Sequence, residues 1–395
     1  MSSWQFDIAW RAGTLREKRL ASAQTASQSY RLTLMISVFS RHSRTLSAAL
    51  LLGAGSLFAE TLPGEISAQD PQLHYVGRFE KKPGPGAKCQ WPASMVEIRF
   101  SGTALKARFN DASGKNRWQV VVDGQPASVL DLQSGPHTYD VATGLAAGEH
   151  TVGLVRCTES HVGTSEFLGF QLADGGKILP PKPASRRLLI IGDSISCGYG
   201  NEASAKEEHY TPKTENAYLT YGGMAARETG AEWMCIAWSG KKMWPDNTIP
   251  ELFERTLPMD PGSHWDLAQW VPDAIVITLG TNDFAKVNPE EKGWTEGYGQ
   301  FVAKLHTAYP KARVYCATSP MLGDWGDRKQ RTTLHGYLEK IVESRKAAGQ
   351  AGIALLEFPM QDQKLGLGAD WHPNVKNQEL MSKVLTAALR KDLQW

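Results

Sequence analysis

The sequence contains no Cys-x-x-Cys pair, no Walker sequence and no complete dinucleotide loop; Gly198-x-Gly200 lacks the required spacing. A zinc site built on paired cysteines and a nucleotide-binding role are thereby disfavoured. Charge of one sign is also lacking: the formal net charge is +2, so nothing suggests a nucleic-acid or anionic-membrane partner. There is no internal repeat. The apolar run at 45–52 is far short of the roughly 20 residues that span a bilayer.

What is present is ordinary for a globular protein: 395 residues, 42% hydrophobic and 21% charged. Residues 1–34 are polar and unpatterned, as an upstream mis-start would be. From Met35, basic residues Arg41 and Arg44 precede the Ala/Leu-rich run and a small-residue stretch ending at Leu57-Phe58-Ala59. That order fits a secretory signal peptide with cleavage after Ala59. The expectation is an exported protein with no membrane attachment once the signal is removed. Export permits disulfides. Cys89 and Cys157 either pair or stay as two buried thiols; Cys197, Cys235 and Cys316 are expected in the core.

Residues 60–182 read as a β-sandwich (jelly roll). Val96-Glu97-Ile98-Arg99-Phe100 alternates apolar and charged, as does 105–109, so each strand buries one face. Asp123-Gly124 marks a hairpin. About eight such runs follow one another without a helix. Trp91 and Trp118 could fill this core or stack on sugars. The prolines at 180, 181 and 183 suggest a semi-rigid linker over 177–187.

Residues 183–395 alternate strand and helix. The pattern implies a three-layer α/β/α domain with a parallel sheet. Its first strand, Leu188-Leu189-Ile190-Ile191, is apolar on both faces and runs into Gly192-Asp193-Ser194. Later strands lead to Trp238-Ser239-Gly240-Lys241 and Gly280-Thr281-Asn282-Asp283. Asp370-Trp371-His372-Pro373-Asn374 precedes the last helix. In an open α/β sheet all four elements meet at the carboxyl edge, where ligands bind.

The set suits ester hydrolysis. Ser194 supplies a nucleophile and His372 a base that works near neutral pH. Asp370, or a backbone carbonyl in its place, orients the imidazole. The favoured arrangement is the carboxylate; the other leaves a Ser-His dyad. The Ser194 N–H, the Gly240 N–H and the Asn282 amide offer three donors to an oxyanion. Trp238, Trp244, Trp325 and Trp371 are candidates for a sugar-stacking wall. The chemistry needs no metal or organic cofactor.

The four blocks, in this order, resemble the SGNH (GDSL-like) hydrolases across the whole second domain. One departure stands out: the family's usual Asp lies three residues before His, and here that place holds Ala369. A narrower resemblance, to the family-2 carbohydrate esterases, covers nearly all of the chain after the signal. It is carried by residues 192–200 (Gly-Asp-Ser-Ile-Ser-Cys-Gly-Tyr-Gly), by Asp370-Trp371-His372-Pro373-Asn374 with its shortened spacing, and by Gln90-Trp91-Pro92-Ala93-Ser94 through Phe100. This resemblance implies a secreted enzyme that removes acetyl groups from plant polysaccharides such as xylan and glucomannan, often at primary 6-hydroxyls. The rival expectations are another SGNH lipase or thioesterase, and a non-catalytic carbohydrate-binding protein.

Overall fold

A computed structural model describes residues 64–82 and 84–395. The expected signal at 35–59 lies outside the described residues.

Two antiparallel sheets form the first module. One contains Glu65–Ser67, Ala87–Cys89, Leu105–Asp111, Gly135–Ala142 and Ser165–Leu172. The other contains His74–Val76, Met95–Ser101, Arg117–Val122, Gln125–Asp131, Glu149–Arg156 and Lys177–Leu179. Alternation decides which side chains meet between them. Val96, Ile98, Phe100, Leu105, Ala107 and Phe109 are fully buried, and Trp118, Phe167 and Phe170 complete the core. The described strands number eleven rather than about eight. The three not foreseen are three residues long, too short to show a period. One of them, Lys177–Leu179, lies in the segment read as a linker and pairs with 99–101 of Met95–Ser101.

The second module carries a parallel sheet. Its strands, in chain order, are Arg186–Gly192, Ala231–Ala237, Ala274–Thr278, Arg313–Ala317 and Ile353–Leu356, arranged 2-1-3-4-5. In the first strand Leu189 and Ile191 face one layer, Leu188 and Ile190 the other. Helices Glu291–Ala308 and Gln330–Ala347 cover the first layer through Trp294, Tyr298, Phe301, Leu334 and Leu338. Helices Tyr221–Thr229 and Val375–Leu393 cover the second through Tyr221, Ala225, Met381 and Leu385. The strand order reverses between the first and third strands, which sets a crevice at their carboxyl ends.

The modules are bolted together by side chains from the sandwich. Trp91 is buried in the core of the α/β module, and its Nε1–H donates to the Arg255 carbonyl at 3.1 Å. Truncating such an aromatic costs about 3–5 kcal/mol. Arg78, fully buried, donates to the carbonyls of Phe253 and Arg255, with its guanidinium 5.1 Å from the Phe253 ring and 5.5 Å from that of Trp265. Trp91 and Trp118 are therefore packing residues, and neither presents a face to a sugar.

All five cysteines are buried and unpaired. Of the two alternatives for Cys89 and Cys157, separate thiols is the one realised.

Candidate active site

Ser194 stands where the first strand ends. The Asp193 carboxylate caps the short helix Ser194–Cys197 by accepting from the Ile195 N–H at 3.1 Å. Gly198 then closes it with φ 82°. The last helix, Val375–Leu393, is tied to this turn. Gln378 donates to the Ile195 carbonyl at 2.9 Å and accepts from the Tyr221 N–H at 2.9 Å.

His372 precedes that helix. Pro373 favours an extended residue before it, and His372 has φ −77° and ψ 163°. Its Nε2 lies 2.9 Å from Ser194 Oγ, across 178 residues of sequence. Its Nδ1 lies 3.1 Å from the carbonyl oxygen of Ala369 and 3.1 Å from that of Asp370. Carbonyls only accept, so Nδ1 carries the ring proton. That leaves Nε2 as the acceptor for the Ser194 hydroxyl.

The backbone is bent to achieve this. Asp370 and Trp371 both adopt left-handed conformations, with φ 48° and 61°. Such positions cost on the order of 1–3 kcal/mol for ordinary residues, and they cluster at functional sites. Gly200 supports the loop from below: its carbonyl accepts from the Ala369 N–H at 3.0 Å. A Cβ there would sit 2.3 Å from the Ala369 methyl, at a φ of +56°. Only glycine fits that approach.

Asp370 is the main correction to the expected site. Its carboxylate does not face His372. Oδ2 accepts from the Tyr199 hydroxyl at 2.8 Å and the Tyr210 N–H at 3.1 Å, and Oδ1 meets His209 Nδ1 at 2.9 Å. The shortened spacing and the left-handed turn rotate the side chain away and bring the carbonyls in. Burial works to raise the Asp370 pKa, but these three partners outweigh it and hold it below the usual carboxylate range. Tyr199 lies 4.2 Å from the His372 ring, and Tyr210 stacks on Tyr199 at 4.5 Å. Burial pulls the His372 imidazole below its ordinary 6.5, although both carbonyls and the Asp370 charge resist.

Asn282 follows the third strand. One amide hydrogen is spent on the Lys241 carbonyl at 2.9 Å, which ties the third block to the Gly240 loop and leaves the other hydrogen free. Gly240 is exposed with φ 77°, and nothing lies within 4 Å of where a Cβ would point. Ser194 opens a helical turn, so its N–H has no intrahelical acceptor. Asp283 is structural: it accepts from the N–H groups of Met243 and Trp244 and from Trp294 Nε1.

The four candidate tryptophans divide. Trp325 and Trp371 are exposed, at 54% and 37%. The Trp325 ring lies over Gly323 beside Met360, and the neighbouring Gln361 donates to the Trp371 carbonyl at 2.9 Å. Trp244 and Trp238 are half-buried against the core; Trp244 covers Gly293 and Gly297, and Lys241 Nζ sits 4.8 Å above Trp238.

Two groups near the site gave no sequence signal. Tyr210 comes from a loop without periodicity. Glu159 belongs to the sandwich, yet both its oxygens reach Ser239, beside Gly240. Tyr199 lay inside the first block, but its pattern does not announce a contact with His372.

Chemically, the arrangement joins a hydroxyl, a neutral imidazole of defined tautomer and unspent N–H donors at one sheet edge. Residues 75–182 match the family model described as Carbohydrate esterase 2 N-terminal, and residues 190–380 the GDSL-like Lipase/Acylhydrolase family. A solved family two carbohydrate esterase from Clostridium thermocellum, in complex with cellohexaose, superposes with a TM-score of 0.77 at 36% identity. The match covers 82% of this chain and 99% of that one.

The chain belongs to the family 2 carbohydrate esterases.

This family 2 esterase is 35% identical over 332 residues to Cellulase/esterase CelE of Acetivibrio thermocellus. The match covers 82% of this chain and 40% of that protein, so the chain spans less than half the length of that relative. An acetylxylan esterase / glucomannan deacetylase of Cellvibrio japonicus is 27% identical over 367 residues, covering 87% and 98%. Among the described residues of the family 2 esterase, no helix is long and apolar enough to cross a membrane.

Proposed function

We propose that this esterase removes O-acetyl groups from plant cell-wall polysaccharides, acetylated xylan or glucomannan, through an acyl-enzyme on Ser194. The observation that carries the reading is the 2.9 Å contact between Ser194 Oγ and His372 Nε2. His372 takes the hydroxyl proton as Oγ attacks the acetyl carbonyl. The oxyanion is received by the N–H groups of Ser194 and Gly240 and the free hydrogen of Asn282. His372 then protonates the departing sugar oxygen. Water repeats the sequence on the acyl-enzyme and releases acetate. Ala369 and Asp370 carbonyls steady the imidazolium, which makes a Ser-His dyad. The exposed rings of Trp325 and Trp371 form the stacking wall for the sugar chain, whereas Trp238 and Trp244 are half-buried against the core. The signal pattern from Met35 to Ala59 supports export.

Two outcomes separate this reading from its neighbours. NMR of acetylated glucomannan and xylan during digestion should show loss of acetyl signals, and gives the hydroxyl at which they are lost. Nitrophenyl acetate should be cleaved far faster than nitrophenyl octanoate; the reverse preference would favour a lipase.

The dyad predicts a small effect at Asp370. Removing an orienting carboxylate from a serine protease triad costs about 10⁴ in kcat. Here Asp370→Asn, which keeps an acceptor for Tyr199 and Tyr210, is expected to cost less than about 10-fold, because the ring nitrogen is held by carbonyls. A loss above about 10³ would restore the triad.

The pH profile follows from the His372 environment. The base must be neutral, so kcat/KM falls as pH drops through the His372 pKa. Burial lowers that pKa, and the acid limb should therefore centre below 6.5. The buried Asp193 carboxyl, pushed up to about 7, titrates nearby. Asp193→Asn keeps the cap oxygen and removes that second titration, so a limb below 6.5 that survives in this variant belongs to His372.

A further inference from the structure

Gly240 is the third residue of a turn, Trp238 to Lys241, closed by the Lys241 N–H on the Trp238 carbonyl at 3.2 Å. Its φ of 77° is that of the third position in a type II turn. The Gly240 N–H belongs to the central peptide of this turn. Types I and II differ chiefly in which way that peptide faces, and glycine accepts either. Nothing within the turn therefore decides whether the Gly240 N–H points into the site or away from it.

The deciding contact comes from the other module. Glu159 lies just before the single turn Ser160–Val162 of the sandwich and is fully buried. Its carboxylate accepts from the Ser239 N–H at 2.7 Å and from the Ser239 hydroxyl, so it holds by backbone and side chain the residue whose carbonyl belongs to the central peptide. Glu159 is itself held: its N–H donates to Glu215 Oε2 at 3.1 Å, which also accepts from the Tyr210 hydroxyl at 2.7 Å. Tyr210 stacks on Tyr199, which lies against His372. The other Glu215 oxygen is buried without another partner. Burial and the neighbouring Glu159 charge push the Glu215 pKa well above the usual range. Burial opposes the Glu159 charge, but His161 and the Ser239 donors outweigh it.

We propose that Glu159, backed by Glu215, is a positioning residue that locks the central peptide of the Trp238–Lys241 turn so that the Gly240 N–H faces Ser194, and that the sandwich thereby completes the active site. The proposal rests on Gly240 being an oxyanion donor. Glu159, Cys197 and Glu215 place ligand atoms within 4.8 Å of one another. Both Glu159 oxygens are already committed to Ser239, so hydrogen bonds close this cluster.

The test is a kcat-against-KM split with nitrophenyl acetate. Glu159→Ala should lower kcat about 30-fold with KM within about two-fold, because the donor acts on the oxyanion and the turn still samples the right orientation part of the time. Glu159→Gln, whose amide oxygen can accept from the Ser239 N–H, should recover to within about five-fold of the unaltered protein. Ser239→Ala carries the test if Glu159→Ala does not fold; losing one hydroxyl bond should lower kcat about 3- to 10-fold. His74→Ala removes a contact between the modules, to Glu232 at 2.8 Å, well away from this loop. It should leave kcat within about two-fold, so that loosened docking is told apart from a freed turn. The lock also has a readout that needs no turnover: the Gly240 amide resonance should stay single in His74→Ala and split or broaden in Glu159→Ala. An unaltered protein that does not cleave acetyl esters would defeat the esterase reading. Wild-type kcat and an unchanged Gly240 resonance in Glu159→Ala would defeat this one.

Discussion

Ser194→Ala is expected to lower kcat for acetate release by about 10⁶-fold, leaving thermal unfolding nearly unchanged. The hydroxyl is small and its side-chain partner is His372, so little packing is lost. His372→Ala should cost about as much alone, and the double variant no more than either. In the proposed mechanism the two groups perform one proton transfer together, so that removing either ends it. The measurement is acetate release from acetylated xylan over a long incubation. Activity above about 1% in Ser194→Ala would remove the serine from the mechanism.

Asn282→Ala carries the next largest effect. Loss of one oxyanion donor costs about 10² to 10³ in kcat. The upper end is expected here, because the same amide also holds the Lys241 carbonyl, one residue beyond Gly240. On the proposed mechanism its removal deletes one oxyanion donor and loosens the segment that bears another. Asn282→Asp should be worse still, since a carboxylate places like charge against the oxyanion. In both, KM should change little: the ground-state ester carbonyl gains far less from these donors than the transition state does. If KM rises with kcat unchanged, Asn282 is a substrate-binding group instead.

Much of the architecture is legible in the residue pattern alone. Period-two alternation in 96–100 and 105–109 marked half-buried strands, and the four-residue apolar run at 188–191 marked a strand covered on both faces. These patterns are local consequences of which faces meet water. A run of only three residues is too short to repeat the alternation, as at Lys177–Leu179. The meeting of Ser194 and His372, and the placing of Asn282 at the end of a strand, are legible for a related reason. Each residue sits in a short polar block after a strand or before a helix, and a parallel sheet brings such blocks to one edge.

The sequence by itself determined the two modules, the edge and the residue types gathered there, because those follow from periodicity and chain order. Only the tertiary structure decided which oxygen holds the imidazole. That choice depends on left-handed backbone at Asp370 and Trp371, and residue spacing does not encode a dihedral angle. Packing likewise chose Trp325 and Trp371 as the exposed rings, since a tryptophan letter is the same on a core and on a rim. The reach of Glu159 to Ser239, 80 residues away, exists only once the modules are docked.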